Sequence, residues 1–316
     1  MAKLSEAEAA VYDRQIRVWG VEVQKRLQAS KVLLIGCSGL AAEVAKNIVL
    51  AGVGSLSLMD DTPCSSGALG NFLIPANVDG SMSVASASVV TLQEMNPLVN
   101  VRACPGLGWS SELAEGFREY DVIVQSGGNL AERQQLDEWC SENGIKFFTA
   151  SVHGTVGYLF ANLQSHTFTL KEDKGKEASD MCVERTKTYP RLSAALCVPQ
   201  KNLPNKTHCL YFILQVCAEF QRRLSRPPAA ADIEDVKSLA RRMAADGGLS
   251  ERLYSERLLS LFVEGAGELA AVCAIVGGIL GNEIVKVVSG RGEPLRNFFF
   301  FSLHDGRGVA QEIGCA

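Results

Sequence analysis

The sequence lacks the patterns that identify several common classes of protein. It has ten cysteines, yet none of them forms a C-x-x-C pair. Because a tetrahedral zinc site usually takes its ligands in such close pairs, we expect no structural zinc. The formal net charge is only −4, so we expect no nucleic acid and no membrane surface among the partners. The longest apolar stretch, from Leu269 to Leu280, is too short to cross a bilayer of about 30 Å.

The opening residues also lack the apolar core of a secretory signal, since "MAKLSEAEAAVYDRQ" is charged. Most of the cysteines lie in apolar patterns, where free thiols pack as small hydrophobic groups. This use of cysteine is typical of a reducing compartment. We therefore expect a soluble intracellular protein.

The chain has the composition and pattern of an α/β protein. Hydrophobic residues make up 47% of its 316 residues, which is enough for a substantial core. The strand "KVLLI", a helix over residues 40–51 and the strand "SLSLMD" form a β-α-β unit of about 30 residues. Strands and helices keep alternating as far as Ala150, which predicts a Rossmann-like, mostly parallel sheet covered by helices.

Other predicted elements surround this sheet. Ser5 to Glu8 has the spacing of a capping box, so we expect an N-terminal helix that ends near Gly20. The stretches "VGYLFANL" and "HTFTL" predict a short antiparallel hairpin or meander, and "KEDKGKE" predicts a solvated loop. A mostly helical insert is predicted at about 170–262. The buried helix "ELAAVCAIVGGILGNEIVKVVSG" and the strand "NFFFFSL" complete a single domain over 1–316.

The loop after the first strand is a broken nucleotide-binding loop. The stretch "GCSGLAAEVAKN" begins at Gly36, and the usual G-x-G-x-x-G pattern would need glycines at 38 and 41, where the chain has Ser38 and Ala41. Those glycines allow a tight turn and a close approach of the backbone to phosphate, and an added Cβ obstructs both. We interpret the turn at Gly36 and Gly39 as one kept for packing.

The segments after the second strand also lack positive charge. No lysine or arginine occurs between Lys46 and Arg102. Because phosphoryl and adenylyl chemistry needs cations at the phosphates, a complete active site in this chain is disfavoured. The β-α-β pattern alone would also fit an NAD-dependent dehydrogenase, but that pattern occurs with many functions and is broken here.

A family resemblance is carried by several stretches in order: "YDRQIRVWG", "GCSGLAAEVAKNIVLAGVG", "LMDD", "NFLIP", "AVCAIVGGILGNEIVK" and "NFFFF". Together they resemble the small subunits of SUMO-activating enzymes, which belong to the ubiquitin-like modifier activating enzymes with the ThiF/MoeB-type adenylation fold. The resemblance covers nearly the whole chain. It implies a heterodimer in which this half is degenerate, while the large partner subunit adenylates SUMO and carries the catalytic cysteine. ATP and Mg²⁺ would then bind in the partner's site, and this chain would bind no cofactor.

The departures from the family's active halves agree with the degenerate role. Active halves carry N-x-x-R-Q-F after the second strand, and in the matching stretch "GALGNF" Gly67 replaces the asparagine and Gly70 the arginine. The lysine of the next helix is matched by Val84, and the aspartate after the fourth strand is matched by Gly128. The C-x-x-C zinc pairs of the active half are missing too. The resemblance therefore implies an inactive adenylation-type domain.

Three residues remain of the cofactor-binding set. Asp60 stands at the ribose position, and Gly36 and Gly39 stand in the loop. The resemblance implies that any vestigial nucleotide contact would come from these three.

Arg14, in "YDRQIR", is the residue for which the resemblance implies a catalytic role. It matches an arginine that reaches from the degenerate half into the partner's ATP site, where a permanently charged, planar guanidinium stabilises phosphate charge. The alternative is that Arg14 and Arg17 form a solvated helix face with Asp13 as a local partner. With the resemblance, we favour the arginine finger.

Other candidates for a site are weaker. His153, at the end of a strand, fits a packed or hydrogen-bonded histidine better than a site residue. Cys140 and Cys273 lie in apolar helical patterns and are interpreted as core. Cys182 and Cys197 lie near loops, but no base or oxyanion motif accompanies them, so neither is interpreted as a thioester-forming cysteine.

The expected partners are the large subunit, SUMO and, through the complex, a SUMO-conjugating enzyme. The resemblance implies a nuclear location, with the cytoplasm as a second one, although no clear basic import sequence is present. Two alternatives remain open: a self-sufficient homodimeric adenylating enzyme of the ThiF/MoeB type, and the small subunit that activates a NEDD-type modifier. The missing basic residues and missing C-x-x-C pairs argue against the first, and the short stretch between Lys171 and Lys206 argues against the second.

Overall fold

The computed structural model describes residues 6–66, 70–110, 112–171, 182–265 and 267–315. In chain order its strands are β1 (Lys31–Ile35), β2 (Ser55–Met59), β3 (Asn100–Cys104), β4 (Val122–Gln125), β5 (Lys146–His153), β6 (Val156–Asn162), β7 (Ser165–Lys171), β8 (Cys182–Thr188), β9 (Phe298–Ser302) and β10 (Arg307–Gln311). Its helices are α1 (Glu6–Val11), α2 (Asp13–Trp19), α3 (Val21–Ala29), α4 (Gly39–Ala51), α5 (Val84–Met95), α6 (Ala114–Phe117), α7 (Leu130–Glu142), α8 (Leu192–Leu196), α9 (Cys209–Leu224), α10 (Ile233–Gly247), α11 (Glu256–Val263) and α12 (Ala270–Ser289).

The main sheet has eight strands in the order β10-β9-β6-β5-β4-β1-β2-β3. Strands β3, β2, β1, β4 and β5 run parallel, and β6, β9 and β10 continue the sheet in antiparallel pairs. The predicted Rossmann-like, mostly parallel sheet is therefore confirmed. The strand order reverses between β1 and β4, and ligands of such sheets bind in the crevice at this switch point.

Alternate residues of β1 supply two cores, as expected for a strand covered on both faces. Val32 and Leu34 pack into the core formed with α4 and α12, and Leu33 and Ile35 pack into the core on the opposite face. A third core lies between the aromatic residues of β9 and the helices α9, α10 and α11. These three helices lie within the range predicted as a helical insert.

The buried late helix α12 continues past Leu280, where the apolar stretch of the sequence ends, and includes Asn282 and Glu283. The side chain of Glu283 is only 3% exposed, and its Oε1 lies 2.6 Å from Lys286 Nζ, so the charge is paired within the helix. By length and composition this helix could cross a membrane, but 56% of its apolar window is buried inside the structure. Gly277 and Gly281 let α4 approach closely, because a Cβ at these positions would lie 2.6 and 2.8 Å from the Cβ atoms of Glu43 and Asn47.

The predicted hairpin of β6 and β7 is wrong. Strand β6 lies in the main sheet between β5 and β9, and β7 pairs with β8 in a separate two-stranded sheet. Strand β8 has the sequence "CVERTKT", and its polar, exposed side chains gave no strand signal. Strand β10 was missed for the same reason, with most of "RGVAQ" exposed. The predicted loop "KEDKGKE" lies, after its first residue, outside the described residues.

The N-terminal helix is also interrupted where the sequence predicted continuity. Helices α1 and α2 meet at Tyr12, which is 1% exposed and accepts a 3.0 Å hydrogen bond at its hydroxyl from Asn96 Nδ2. Tertiary packing of this one side chain therefore overrides a continuous helical pattern. Ser5, the predicted cap, lies outside the described residues.

Candidate functional site

The broken loop lies at the switch point of the sheet, where Gly36 follows β1. Gly36 has a φ of +83°, and a Cβ at this position would lie 2.6 Å from the backbone nitrogen of Gly127, in the turn after β4. Ser126 Oγ donates a 3.0 Å hydrogen bond to the carbonyl of Gly36. Glycine is therefore required here by the backbone conformation and by the close approach of two turns.

The next part of the loop is closed by the chain itself. Ser38 is the N-cap of α4, and its Oγ accepts a hydrogen bond of 3.4 Å from the backbone N–H of Ala41. A Cβ at Gly39 would lie 2.8 Å from the carbonyl oxygen of Gly70. The serine that breaks the glycine pattern thus satisfies one of the first-turn amides of the helix.

A carboxylate of the chain lies at the helix N-terminus, where a nucleotide-binding loop would present its amides to phosphate. Glu268 Oε2 accepts a 3.0 Å hydrogen bond from the backbone N–H of Leu40. Glu268 is held just before α12 by a backbone bridge to Gly154. Burial and the Glu268 carboxylate together raise the pKa of the Cys273 thiol to about 12. The positive end of α4 is therefore already neutralised by a fixed negative charge.

Asp60, for which the resemblance implies the ribose position, is also bonded to the backbone. Its Oδ2 accepts a 2.8 Å hydrogen bond from the N–H of Cys37, and its Oδ1 accepts one of 3.0 Å from the N–H of Thr62. Its neighbour Asp61 accepts a 2.6 Å hydrogen bond from the N–H of Gly106. These acids fix loops to one another.

Val84 and Gly128, two positions at which the resemblance implies a lost polar group, are constrained by their surroundings. Val84 is 1% exposed and packs in the core at the start of α5. Gly128 has a φ of +76°, and a Cβ there would clash with the carboxylate of Glu132, which caps α7 together with Asn129. Gly70 has a φ of +93°, and Gly67 lies outside the described residues. An aspartate at 128 would therefore need a different turn.

The residues around the loop do not fit a nucleotide triphosphate. Of the described residues, the charged side chains that bond to its backbone are Asp60 and Glu268, both carboxylates. Lys46, farther along α4, lies 2.5 Å from the carboxylate of Glu43 and over the ring of Phe72. Within the described part of the chain, no cluster of three or more histidine, cysteine or acidic residues could hold a metal ion.

Arg14 lies on the exposed side of α2 and is free to contact another molecule. Asp13, its expected local partner, pairs instead with Arg17, with 2.9 Å between Oδ2 and Nε. Among the residues that the structure describes, Arg14 forms no hydrogen bond and no ion pair. The helix that carries it is fixed to the body of the protein by Tyr12 and by Gln15, whose Nε2 donates to the carbonyl of Leu50 at 2.9 Å.

Exposed apolar side chains surround this arginine. Val18 is 79% exposed and lies four residues after Arg14, on the same face of α2. Val11 and Leu50 are 59% and 45% exposed. A cation that has no partner among the described residues and lies beside exposed apolar groups is typical of a surface that meets a protein partner.

The weaker candidates lie as predicted. His153 ends β5, stacks on Phe262 with ring centroids 3.9 Å apart, and shares a 2.9 Å hydrogen bond with Ser151 Oγ. Cys140 and Cys273 are buried in the core. Cys182 and Cys197 are exposed, and within the part of the chain that the structure describes neither is hydrogen-bonded to a basic side chain. Two residues that matter in the loop were missed: Glu268, and Asn71, whose Nδ2 donates to the carbonyl of Cys37 at 2.8 Å. The signal for Glu268 was an acid at the start of the buried late helix.

Comparisons with known proteins agree with this geometry. The ThiF family pattern matches residues 12–312. SUMO-activating enzyme subunit 1B-1 of Arabidopsis thaliana is 37% identical over 319 residues, covering 98% of both chains. SUMO-activating enzyme subunit 1 of Homo sapiens is 36% identical over 341 residues, covering 98% of this chain and 96% of the relative. A crystal structure of selenomethionine-labelled PaaA has the same fold, with a TM-score of 0.60 and 17% identity over 99% of this chain and 86% of that one.

Proposed function

The chain belongs to the ThiF family, and since its relatives at 35–37% identity are SUMO-activating enzyme subunits 1, we propose that it is the small, non-adenylating subunit of a heterodimeric SUMO-activating enzyme. A large partner subunit binds ATP and Mg²⁺ and carries out the chemistry. The chain itself contributes a surface, a rigid scaffold and one cation, and it binds no cofactor.

One observation carries the assignment of the non-adenylating role. The amide of Leu40, in the first turn of α4, is bonded to the carboxylate of Glu268 at 3.0 Å, where an active half would offer that helix end to phosphate. The second charged contact of the loop is the carboxylate of Asp60. Two fixed negative charges without a cation at the loop repel a triphosphate, because adenylyl transfer depends on cations placed at the leaving phosphates.

Arg14 is the group that we assign to catalysis. In the heterodimer it extends from α2 into the partner's ATP site and stabilises negative charge on the triphosphate. Its guanidinium has no acidic partner among the described residues, which supports this role, since an arginine already bonded to an acid would have to exchange partners first. The exposed apolar side chains of Val11, Val18 and Leu50 then belong to the surface that meets the large subunit.

The reaction proceeds in two steps on the partner. The carboxylate of the C-terminal glycine of SUMO attacks the α-phosphate of ATP, and the bond from that phosphate to the leaving pyrophosphate breaks. The thiolate of the partner's cysteine then attacks the acyl carbon of the SUMO adenylate, a thioester forms, and AMP leaves. SUMO passes from there to a conjugating enzyme held by the complex. We assign this activity to the nucleus, with import as a complex with the large subunit.

ATP–pyrophosphate exchange in the presence of SUMO tests the assignment. We expect no exchange with this chain alone, and exchange when the large SUMO-activating subunit is added. Exchange by the chain alone would favour the self-sufficient homodimeric enzyme. Exchange in the mixture with a NEDD-type modifier in place of SUMO would assign the chain to the other modifier.

A further inference from the structure

A small cavity lies beside the turn after β4, the turn that also packs against the loop at Gly36. Its volume is about 140 Å³, and its walls include Leu130, Leu214, Phe262 and the pair Pro227–Pro228. Because a water molecule takes about 30 Å³ in the liquid, the cavity has room for about five heavy atoms. The helices α9 and α11 and the connection after α9 cover it, so it exists only because the helical segment packs on the sheet.

A buried cation without an acidic partner lines this cavity. Arg133, on α7, is 6% exposed. Its Nη1 donates to the hydroxyl of Tyr158 at 2.5 Å, and its Nη2 donates to the carbonyl of Ser126 at 3.1 Å. Its Nε is buried and has no partner. Two neutral acceptors thus serve a guanidinium that has five N–H donors and that does not lose its charge in proteins.

The group that would pair with the Arg133 guanidinium must be an anion. A buried charge is costly unless it is paired, and arginine cannot become neutral to avoid that cost. Within the described part of the chain, no carboxylate forms an ion pair with Arg133. The guanidinium fork has the geometry that matches the two oxygens of a carboxylate.

The other lining groups limit the charge of that anion. His153 also lines the cavity, and burial together with the nearby Arg133 lowers its pKa to about 3, so the ring is neutral near pH 7. Arg133 is then the single charge among the described lining residues. A phosphate or a dicarboxylate would leave an unpaired negative charge beside this single cation, because the other lining groups, such as Asn129, Ser151 and Gln221, are neutral. A monoanion with a short apolar tail leaves none.

We propose that the cavity beside Arg133 binds a small free monocarboxylate of about five heavy atoms, held by the guanidinium at one end and by Leu130 and Phe262 at the other. This site is separate from the proposed role of the chain in SUMO activation. It would make the packing of the helical segment on the sheet depend on a metabolite-sized acid.

Propionate is the probe, and the thermal unfolding of the assembled heterodimer is the measurement. At constant ionic strength, we expect propionate to raise the unfolding midpoint in a saturable way, with half-saturation in the range of about 1 mM because so few atoms make contact. Chloride and inorganic phosphate at the same ionic strength should give no saturable shift. A saturable shift with phosphate of equal size would contradict a monocarboxylate site.

Three variants locate the effect. Arg133→Met should abolish the propionate shift, while Arg191→Met, which removes an exposed arginine paired with Glu138, should keep it. Leu130→Phe leaves Arg133 in place and fills the cavity, so it should also abolish the shift, and it serves if Arg133→Met does not fold. Absence of saturable binding by the wild-type heterodimer would overturn the proposal. Saturable binding by the separated chain combined with no binding by the heterodimer would overturn it too, since a partner carboxylate would then occupy the cavity in the complex.

Discussion

Removing the carboxylate of Glu268 tests the conclusion that the chain closes its own phosphate position. Glu268→Ala takes away the acceptor of the 3.0 Å hydrogen bond from Leu40 N–H and the negative charge at the positive end of α4. A hydrogen bond to a charged group contributes about 1.5–3 kcal/mol, and a carboxylate at a helix N-terminus contributes about 0.3–1 kcal/mol. Because Glu268 is partly exposed, we expect the free energy of unfolding to fall by about 1–2 kcal/mol.

Equilibrium unfolding in urea at pH 7 measures this loss. Glu268→Gln keeps an acceptor oxygen but removes the charge, so it should lose about half as much as Glu268→Ala. Glu264→Ala is the matched control, since Glu264 is exposed, precedes the same turn and forms no ion pair within the described residues. Equal stability of Glu268→Ala and this control would show that the carboxylate is not bound at the helix end.

The same variant shows whether Glu268 alone prevents ATP from binding at the loop after β1, or whether the loop would not bind ATP even without Glu268. Without Glu268 the amide of Leu40 is free, but no cation among the described residues bonds to the loop, and Asp60 still presents its carboxylate. We therefore expect Glu268→Ala to bind ATP no better than the wild-type chain in equilibrium dialysis. Micromolar binding of ATP by the variant would refute the reasoning, because it would show that one side chain alone had blocked a competent site.

Two other predictions follow from the switch region. Gly36→Ala should lower the free energy of unfolding by about 3 kcal/mol or more, because it adds backbone strain at a φ of +83° and a Cβ 2.6 Å from Gly127 N. Urea unfolding measures this change, and a loss under about 1 kcal/mol would contradict this turn geometry. His153 has a folded-state pKa of about 3, below its ordinary 6.5, so the unfolded chain binds more protons than the folded chain as the pH falls. The stability that this histidine confers is therefore present above about pH 6.5 and is lost as the pH falls toward 3. We expect about 2 kcal/mol of loss from His153 between pH 7 and pH 5, and a shallower dependence in His153→Phe, which keeps the stacking on Phe262; an unchanged dependence would assign the loss to other groups.

The sequence predicts those parts of the fold that depend on local pattern. The β-α-β unit from β1 to β2 was predicted because "KVLLI" contains four apolar residues in a row, because apolar residues alternate with serine in "SLSLM", and because Gly52 ends the helix between them. Strand β8 was missed because it is held by pairing with β7 rather than by burial of its own side chains. The break at Tyr12 was missed because it depends on a partner, Asn96, that is 84 residues away.

The candidate site, like the fold, could be predicted from the sequence only in part. The resemblance seen in the sequence implies the loss of the lysine, arginine and aspartate of an active half, and it also implies the role proposed for Arg14. The position of Glu268 cannot, because its partner Leu40 is 228 residues distant and only the packing of α12 on α4 brings them together. The unpaired state of Arg14 likewise depends on which of two neighbouring arginines Asp13 selects, and the structure shows that it selects Arg17.

The most direct test of the central proposal compares two arginines of one helix in the assembled heterodimer. Arg14→Met and Arg17→Met each remove one positive charge from α2, and only Arg14 is assigned to the partner's ATP. The measurement is the rate of SUMO-dependent ATP–pyrophosphate exchange, with heterodimer formation followed by size-exclusion chromatography. We expect both variants to assemble, Arg17→Met to keep the wild-type rate, and Arg14→Met to lose about 10²-fold or more, as when one charge-stabilising donor is removed from an active site. An assembled Arg14→Met heterodimer that exchanges at the wild-type rate would contradict the account.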